Sequence, residues 1–107
     1  MEKTLNFTGK DGKRYTLSFT RETVAATERM GFDVREVYAK PVNNTTLLWR
    51  GAFLAHHDTL TIAEVDKLFE DIDKNGLLEA LIELYTAPVE SLFDEEHSKN
   101  AIKWTVT

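Results

Sequence analysis

The sequence predicts an α+β fold from three observations. Apolar and polar residues alternate at the start of the chain, which is typical of a β-hairpin. In the middle of the chain, apolar residues recur at helical spacing and are accompanied by helix-capping residues. Alternation returns in residues 101–107. We therefore predict an N-terminal β-hairpin and a C-terminal strand that together form a small antiparallel sheet, packed with about four helices.

Length and composition limit the classes of protein to consider. The chain has 107 residues, and we predict one domain: a hairpin at 1–19, a helical part at 20–93, a charged link at 94–100 and a terminal strand at 101–107. A formal charge of -5 gives no attraction to nucleic acid or to anionic membranes. The absence of cysteine excludes disulfides and thiolate catalysis. No apolar run reaches the roughly 20 residues that span a bilayer, so we expect a cytosolic protein.

The hairpin is predicted from two alternating runs and the turn that joins them. Leu5 and Phe7 alternate with polar residues, and so do Tyr15 and Leu17. Between the runs, Gly9-Lys10-Asp11-Gly12 supplies residues that favour a tight turn. A lone hairpin is only marginally stable in water, so its apolar face must pack against other elements.

The terminal strand is predicted from the same alternation. Ile102, Trp104 and Val106 are apolar, and polar residues separate them. This strand fits beside the hairpin, where it completes a three-stranded sheet, or at the sheet edge of a neighbouring subunit. We predict that these three residues form an exchangeable edge and a protein interface, with Trp104 as the anchor.

Capping signals and apolar spacing define the helices. Thr20 is the predicted N-cap of a helix that stops at Gly31, and Phe32 to Lys40 fits no single period before Pro41 ends it. Asn43-Asn44-Thr45 predicts the cap of a buried helix that continues to Ala55. Gly51 inside this helix predicts close contact with another backbone.

Two further helices follow. Thr61-Ile62-Ala63-Glu64 is a capping box, and a helix begins there with one apolar stripe. The last helix is predicted to end near Thr86, with a separate turn that starts at Pro88. The residues of the apolar stripe that begins at the capping box are Ile62, Val65, Leu68, Phe69 and Ile72. The residues predicted to form the helical core are Trp49, Phe53, Leu81 and Tyr85.

One stretch, Asp71 to Gly76, resembles the start of an EF-hand calcium loop. Asp71, Asp73 and Asn75 provide oxygen ligands at positions 1, 3 and 5 of such a loop, and Gly76 stands at position 6. Position 12 requires a bidentate Glu but holds Ile82. The alternative interpretation is a helix end, with Lys74 near the last carbonyls and Asn75-Gly76 as the stop. We prefer the helix end, predict no metal or cofactor, and retain a calcium-binding module as an alternative.

Two other groups of residues could in principle carry chemistry. His56 and His57 are adjacent, so on a helix they point about 100° apart and are poorly placed to share a metal. We expect them at a helix C-terminus, near its last carbonyls. Glu79 and Glu83 lie one helical turn apart on an expected solvent face, and no nucleophile or oxyanion-hole motif accompanies them. The sequence therefore predicts a protein that is not an enzyme.

Three segments and the C-terminal Trp104-Thr105-Val106 resemble small proteins encoded by tailed phages and prophages of Gram-positive bacteria. The segments are Phe19–Val24 continued through Glu28–Phe32, Leu47–His57, and Leu81–Tyr85 with Pro88–Leu92. Such proteins are similar to the tail assembly chaperones of long-tailed phages. The likeness covers most of the chain.

The resemblance implies a non-enzymatic role in tail morphogenesis. The chaperone would self-associate and coat the long helical tape measure protein in the host cell cytoplasm, until tail-tube subunits replace it. It is not expected in the mature virion. A different phage structural protein, such as a head–tail connector component, is the alternative. A gene position directly upstream of a very long helical reading frame would favour the chaperone.

Overall fold

The computed structural model describes residues 3–93 and 102–106, apart from the side chains of 91–93. Two strands and four α-helices follow one another: β1 (Leu5–Thr8), β2 (Arg14–Leu17), α1 (Arg21–Arg29), α2 (Pro41–Ala52), α3 (Ile62–Asp71) and α4 (Leu77–Phe93). A short 3-10 helix, Val34–Glu36, lies between α1 and α2. The predicted α+β class is confirmed.

The hairpin forms as predicted, but the sheet has two strands. β1 and β2 are antiparallel, with Phe7 opposite Tyr15. Gly12, at φ +82°, makes the turn. The predicted third strand is wrong over 102–106, where the described residues form no strand. The predicted link at 94–100 and positions 101 and 107 lie outside the described residues.

Local signals set both ends of α1. The Thr20 side chain accepts a hydrogen bond from the Thr23 backbone N–H, and the Thr23 hydroxyl in turn accepts one from the Thr20 N–H. This reciprocal pair satisfies two backbone donors that a helix start leaves open. Gly31, at φ +104°, ends the helix as predicted.

The start of α2 differs from the prediction. The helix begins at Pro41, two residues before the predicted cap. Proline is well tolerated at the first helical position because its missing N–H would have no helical partner there. Asn44 is buried instead of capping, and its amide donates to the backbone oxygens of Glu36 and Lys40. It thereby ties the 3-10 segment to α2.

Two neighbouring residues of α2 attach it to α3. Trp49 is fully buried, and its indole N–H donates to the backbone oxygen of Val65 at 2.8 Å. Arg50 makes a bidentate ion pair with Asp66, with N–O distances of 3.0 and 2.7 Å. This hydrogen bonding lowers the pKa of the Asp66 carboxyl and raises that of the Arg50 guanidinium. Together the contacts fix α3 against α2.

The last helix continues through its proline. Residues 77–93 form one helix with Pro88 inside it, so the predicted end near Thr86 is wrong. Leu84 and Tyr85 are buried in the turn before the proline, and Val89 packs against the core just after it. This packing holds the helix together where proline removes a hydrogen bond, at a usual cost of about 3 kcal/mol.

The core has the predicted residues at its centre. Trp49, Phe53, Leu81 and Tyr85 are all buried. Ile62 is an exception to the predicted stripe of α3, because it is 63% exposed at the first position of that helix.

Gly51 marks the closest approach between α1 and α2. A Cβ at this position would overlap Thr27 Oγ1 and lie 3.0 Å from Thr27 Cβ and Cγ2. The predicted close contact is therefore present, but it is made with a side chain and not with a backbone. Thr27 is itself fixed, since it is fully buried and its hydroxyl donates to the Thr23 backbone oxygen at 2.7 Å.

We expect Gly51→Ala to lower the free energy of unfolding. Overpacking usually costs about 1–3 kcal/mol, and this site belongs at the upper end because Thr27 has little room to move. The better helix propensity of alanine returns roughly 1 kcal/mol. Chemical denaturation measures the difference.

A double-mutant cycle provides the control. Thr27→Ala removes the overlapping hydroxyl and methyl, so Gly51→Ala should cost less in that background. Equal stability of Gly51→Ala and the parent chain would contradict the close approach of α1 and α2.

Candidate functional site

The predicted interface residues lie on the surface. Ile102, Trp104 and Val106 are 91%, 80% and 88% exposed. Large apolar side chains are seldom this exposed in a short run unless they contact something else. The segment 102–106 is therefore the first candidate binding element.

The two edges of the hairpin differ. On the outer edge of β2, the Thr16 N–H donates to His57 Nε2 at 3.0 Å, and the Ser18 N–H donates to the Ala52 oxygen at 3.1 Å. On the outer edge of β1, the described residues offer no such partner to the N–H groups of Asn6 and Thr8. Two outward N–H groups on the β2 side are therefore taken, whereas those of Asn6 and Thr8 on β1 have no partner among the described residues.

His57 has a different role from the one predicted. Helix α2 ends at Ala52, and His57 lies five residues beyond it, where its backbone N–H donates to the Phe53 oxygen at 2.8 Å. Its ring does not face these carbonyls; it packs against Tyr15 and Phe53, with centroids 5.3 and 5.9 Å away. The lone pair of His57 Nε2 is taken up by the hydrogen bond from the Thr16 N–H. No local pattern could reveal this contact, which spans 41 residues.

A second exposed apolar segment lies between α1 and α2. Met30, Val34, Tyr38 and Val42 are 41%, 43%, 70% and 83% exposed. We call residues 30–42 the inter-helix segment. A groove of about 490 Å³ adjoins it, and its lining combines Phe32, Val34 and Tyr85 with the charged residues Glu28, Asp33 and Arg35. Sequence reasoning missed this surface because residues 32–40 matched no regular period.

The calcium-like stretch forms the α3–α4 turn. Asp71 Oδ1 lies 3.5 Å from Lys10 Nζ and 3.7 Å from Lys67 Nζ. Asp73 Oδ1 accepts from the Asn75 backbone N–H, and Gly76 has φ +74°. These groups serve as ion-pair and turn residues.

Lys74 closes the end of α3. Its ammonium donates to the backbone oxygens of Phe69 and Ile72 at 2.6 and 3.3 Å, and it lies 4.8 Å from the Phe69 ring centroid. A cation at the last carbonyls is the expected partner of a helix C-terminus. Within 3–93 and 102–106, no cluster of three or more His, Cys, Asp or Glu residues could hold a metal.

Glu79, Glu83 and Asp11 are solvated or paired. Glu79 and Glu83 are exposed on α4, and Glu83 pairs with Lys3 at 3.2 Å. A groove of about 570 Å³ is lined in part by Asp11 and Tyr15. Hydrogen bonds from the Lys13 N–H and the Tyr15 hydroxyl lower the pKa of Asp11. A lowered pKa makes a carboxylate a poor general base near neutral pH.

A family model for the domain of unknown function DUF5055 matches residues 1–107. The chain belongs to this family. Comparisons with curated proteins and with solved structures found no match. None of the helices in the described residues is long and apolar enough to cross a membrane.

Tyr85 of this DUF5055 chain links α4 to α1. Its ring is buried and packs edge-on against Phe19 and Phe32, at centroid distances of 5.5 and 5.0 Å. Its hydroxyl donates to Glu28 Oε2 at 3.2 Å. Burial, together with the nearby Glu28 charge, raises the pKa of Tyr85 to about 12.

We expect stability to fall at high pH because of Tyr85. The raised pKa means that the folded state favours the neutral phenol. The stability that results is fully present below the ordinary pKa of 10 and is lost as the pH rises through about 12. Ultraviolet titration of phenolate should show a late phase that Tyr85→Phe reduces. Tyr38→Phe, at an exposed position, is the control and should retain it. The hydrogen bond to Asp11 also raises the pKa of Tyr15, so a late phase that survives in the double variant Tyr15→Phe, Tyr85→Phe would contradict the assignment.

We expect calcium to leave the thermal midpoint unchanged. Ligand binding to the native state raises stability by mass action, but Ile82 supplies no oxygen at position 12 and Asp71 already pairs with two lysines. Thermal melts with millimolar calcium, and with magnesium as the control, test this. A calcium-specific rise that Asp73→Asn abolishes would establish the calcium-binding alternative.

Proposed function

We propose that this protein is a phage or prophage tail assembly chaperone that binds the tape measure protein during tail morphogenesis and catalyses no reaction. It would act in the host cell cytoplasm and would be absent from the mature virion. The resemblance of three segments and of the C-terminal residues to such proteins supports this role.

The observation that carries the proposal is the inter-helix segment. Met30, Val34, Tyr38 and Val42 lie within thirteen residues of one another and remain exposed in the folded chain. A long helical partner presents its own apolar stripe, and such a stripe binds by placing apolar side chains in an apolar groove. The groove beside Val34 gives such a partner a place to lie.

The charge of the protein is compatible with this target. At -5 it has no attraction to nucleic acid, while residues 30–42 include Arg35 and Lys40. Both pair with acidic neighbours, Asp33 and Glu36. Binding on this segment would therefore depend mainly on burial of apolar area, with a polar rim around it.

Co-expression with the tape measure protein of the same tail gene cluster tests the proposal. The chain should keep the tape measure protein soluble and co-purify with it. Val42→Lys should lower the recovered complex by about tenfold or more, because a buried unpaired charge costs more than the 1.4 kcal/mol that corresponds to tenfold.

Ile62→Lys is the matched control, since Ile62 is similarly exposed but lies on α3. It should leave binding unchanged, and both variants should keep the thermal midpoint of the parent. Failure of the folded parent chain to bind the tape measure protein would overturn the proposal. An equal loss of recovered complex with both variants would show that the inter-helix segment is not the binding surface.

A further inference from the structure

We propose that the segment 102–106 of one copy of this chain pairs with the open edge of β1 in a second copy, as the third strand of its sheet. Trp104 would anchor the pairing in a groove beside β1. The occupant of the edge is thus the C-terminal segment of an identical chain.

The hydrogen-bond pattern identifies β1 as the receiving strand. In an antiparallel pair, alternate residues direct both N–H and C=O away from the partner strand. Thr16 on β2 is such a residue, and so is Asn6, which lies opposite it. His57 and Ala52 block the β2 edge, whereas Asn6 and Thr8 on β1 keep outward groups available. Open edges of this kind are templates for a further strand.

The surface beside β1 is suited to apolar side chains at strand spacing. A groove of about 340 Å³ lies next to Leu5, with Ala80 and Leu84 in its apolar lining and Lys3, Thr4 and Glu83 in its polar lining. A smaller one, about 50 Å³, lies next to Phe7 and is bordered by Leu68 and Ile72. Side chains of an added strand that point to the same face as Leu5 and Phe7 would enter these grooves.

The segment 102–106 matches this surface in length and pattern. β1 has four residues, and Ile102 to Val106 supplies five, with apolar residues at alternate positions. Trp104 fits the larger groove, and Lys103 and Thr105 would point to solvent. Lys3 and Lys10 at the ends of β1 are paired with Glu83 and Asp71, at 3.2 and 3.5 Å. These ion pairs partly neutralise the lysine charges next to the strand edge.

A second copy is favoured over the same chain because 102–106 does not lie on its own open edge. Its three apolar side chains are at least 80% exposed. Pairing between copies would bury them and would occupy the outward N–H groups of β1. This inference rests on the hairpin and the terminal segment, and it does not depend on binding to the tape measure protein.

Light scattering on the purified full-length chain tests the pairing. The parent should have a mass at least twice the single-chain value of 12.2 kDa. Trp104→Ala should return the mass to that of one chain, as should Thr8→Pro, which removes an outward N–H at a position where an edge strand tolerates proline. Lys103→Ala and Thr8→Val are the matched controls and should associate like the parent.

Mixing the two defective chains makes the test decisive. The Trp104→Ala chain has an intact β1 edge but a defective terminal segment, and the Thr8→Pro chain has the reverse. Each variant alone should be monomeric. In an equimolar mixture, the segment of the Thr8→Pro chain should pair with the edge of the Trp104→Ala chain and form heterodimers. Thermal melts check that Thr8→Pro is folded, and Trp104→Ala replaces an exposed residue.

Three results would overturn the proposal. The first is a monomeric parent, in which protection of the Asn6 and Thr8 amides from hydrogen exchange would show that the segment folds on its own edge. The second is a parent oligomer that Trp104→Ala leaves intact. The third is a mixture that stays monomeric. The Val42→Lys chain should keep the oligomer mass of the parent even where it loses tape measure binding, because the β1 edge and the segment 102–106 are unchanged in it.

Discussion

The structure depends on the second half of α2, residues 47–52, which is buried on nearly every side. Trp49, Leu48 and Ala52 are fully buried. The helices α1 and α3, which pack on two sides of α2, each satisfy a different packing requirement. On the α1 side the helices approach so closely that only glycine fits at position 51. On the α3 side the buried indole N–H needs an acceptor, and Val65 supplies it. Removing such an acceptor would leave a buried donor unsatisfied, which costs about 1–3 kcal/mol.

This central helix also explains the unequal edges of the hairpin. A two-stranded sheet is marginal in water, and here Phe7 stacks on Trp49 while Tyr15 packs edge-on against Phe53. The end of α2 and the turn after it therefore lie along β2, where Ala52 and His57 accept its outward N–H groups. Because the chain leaves α2 on that side, β1 receives no equivalent cover. The open edge is a consequence of how the core is built.

The sequence predicted the parts that depend on short-range chemistry. The hairpin turn, the Thr20 and Thr61 caps and the stop at Gly31 each involve residues within four positions of one another. The two prolines were misjudged for one shared reason. Pro41 begins a helix and Pro88 lies inside one, and the effect of proline depends on its position and on the packing around it. The role of His57 and the exposure of 102–106 depend on tertiary contacts, which no local pattern contains.

A protein that coats a long helix needs one surface for its target and another for its neighbours. The apolar stripe of α4 is not available for either purpose, since Leu77, Leu81 and Leu84 are buried in the core. The two proposed contact surfaces, the inter-helix segment and the hairpin, meet opposite ends of α2. The inter-helix segment reaches Val42 at its start, and the hairpin contacts Ala52 at its end. At about 1.5 Å per residue, these positions are roughly 15 Å apart. A target on the first surface would therefore leave the β1 edge accessible, so both contacts can form on one chain at the same time.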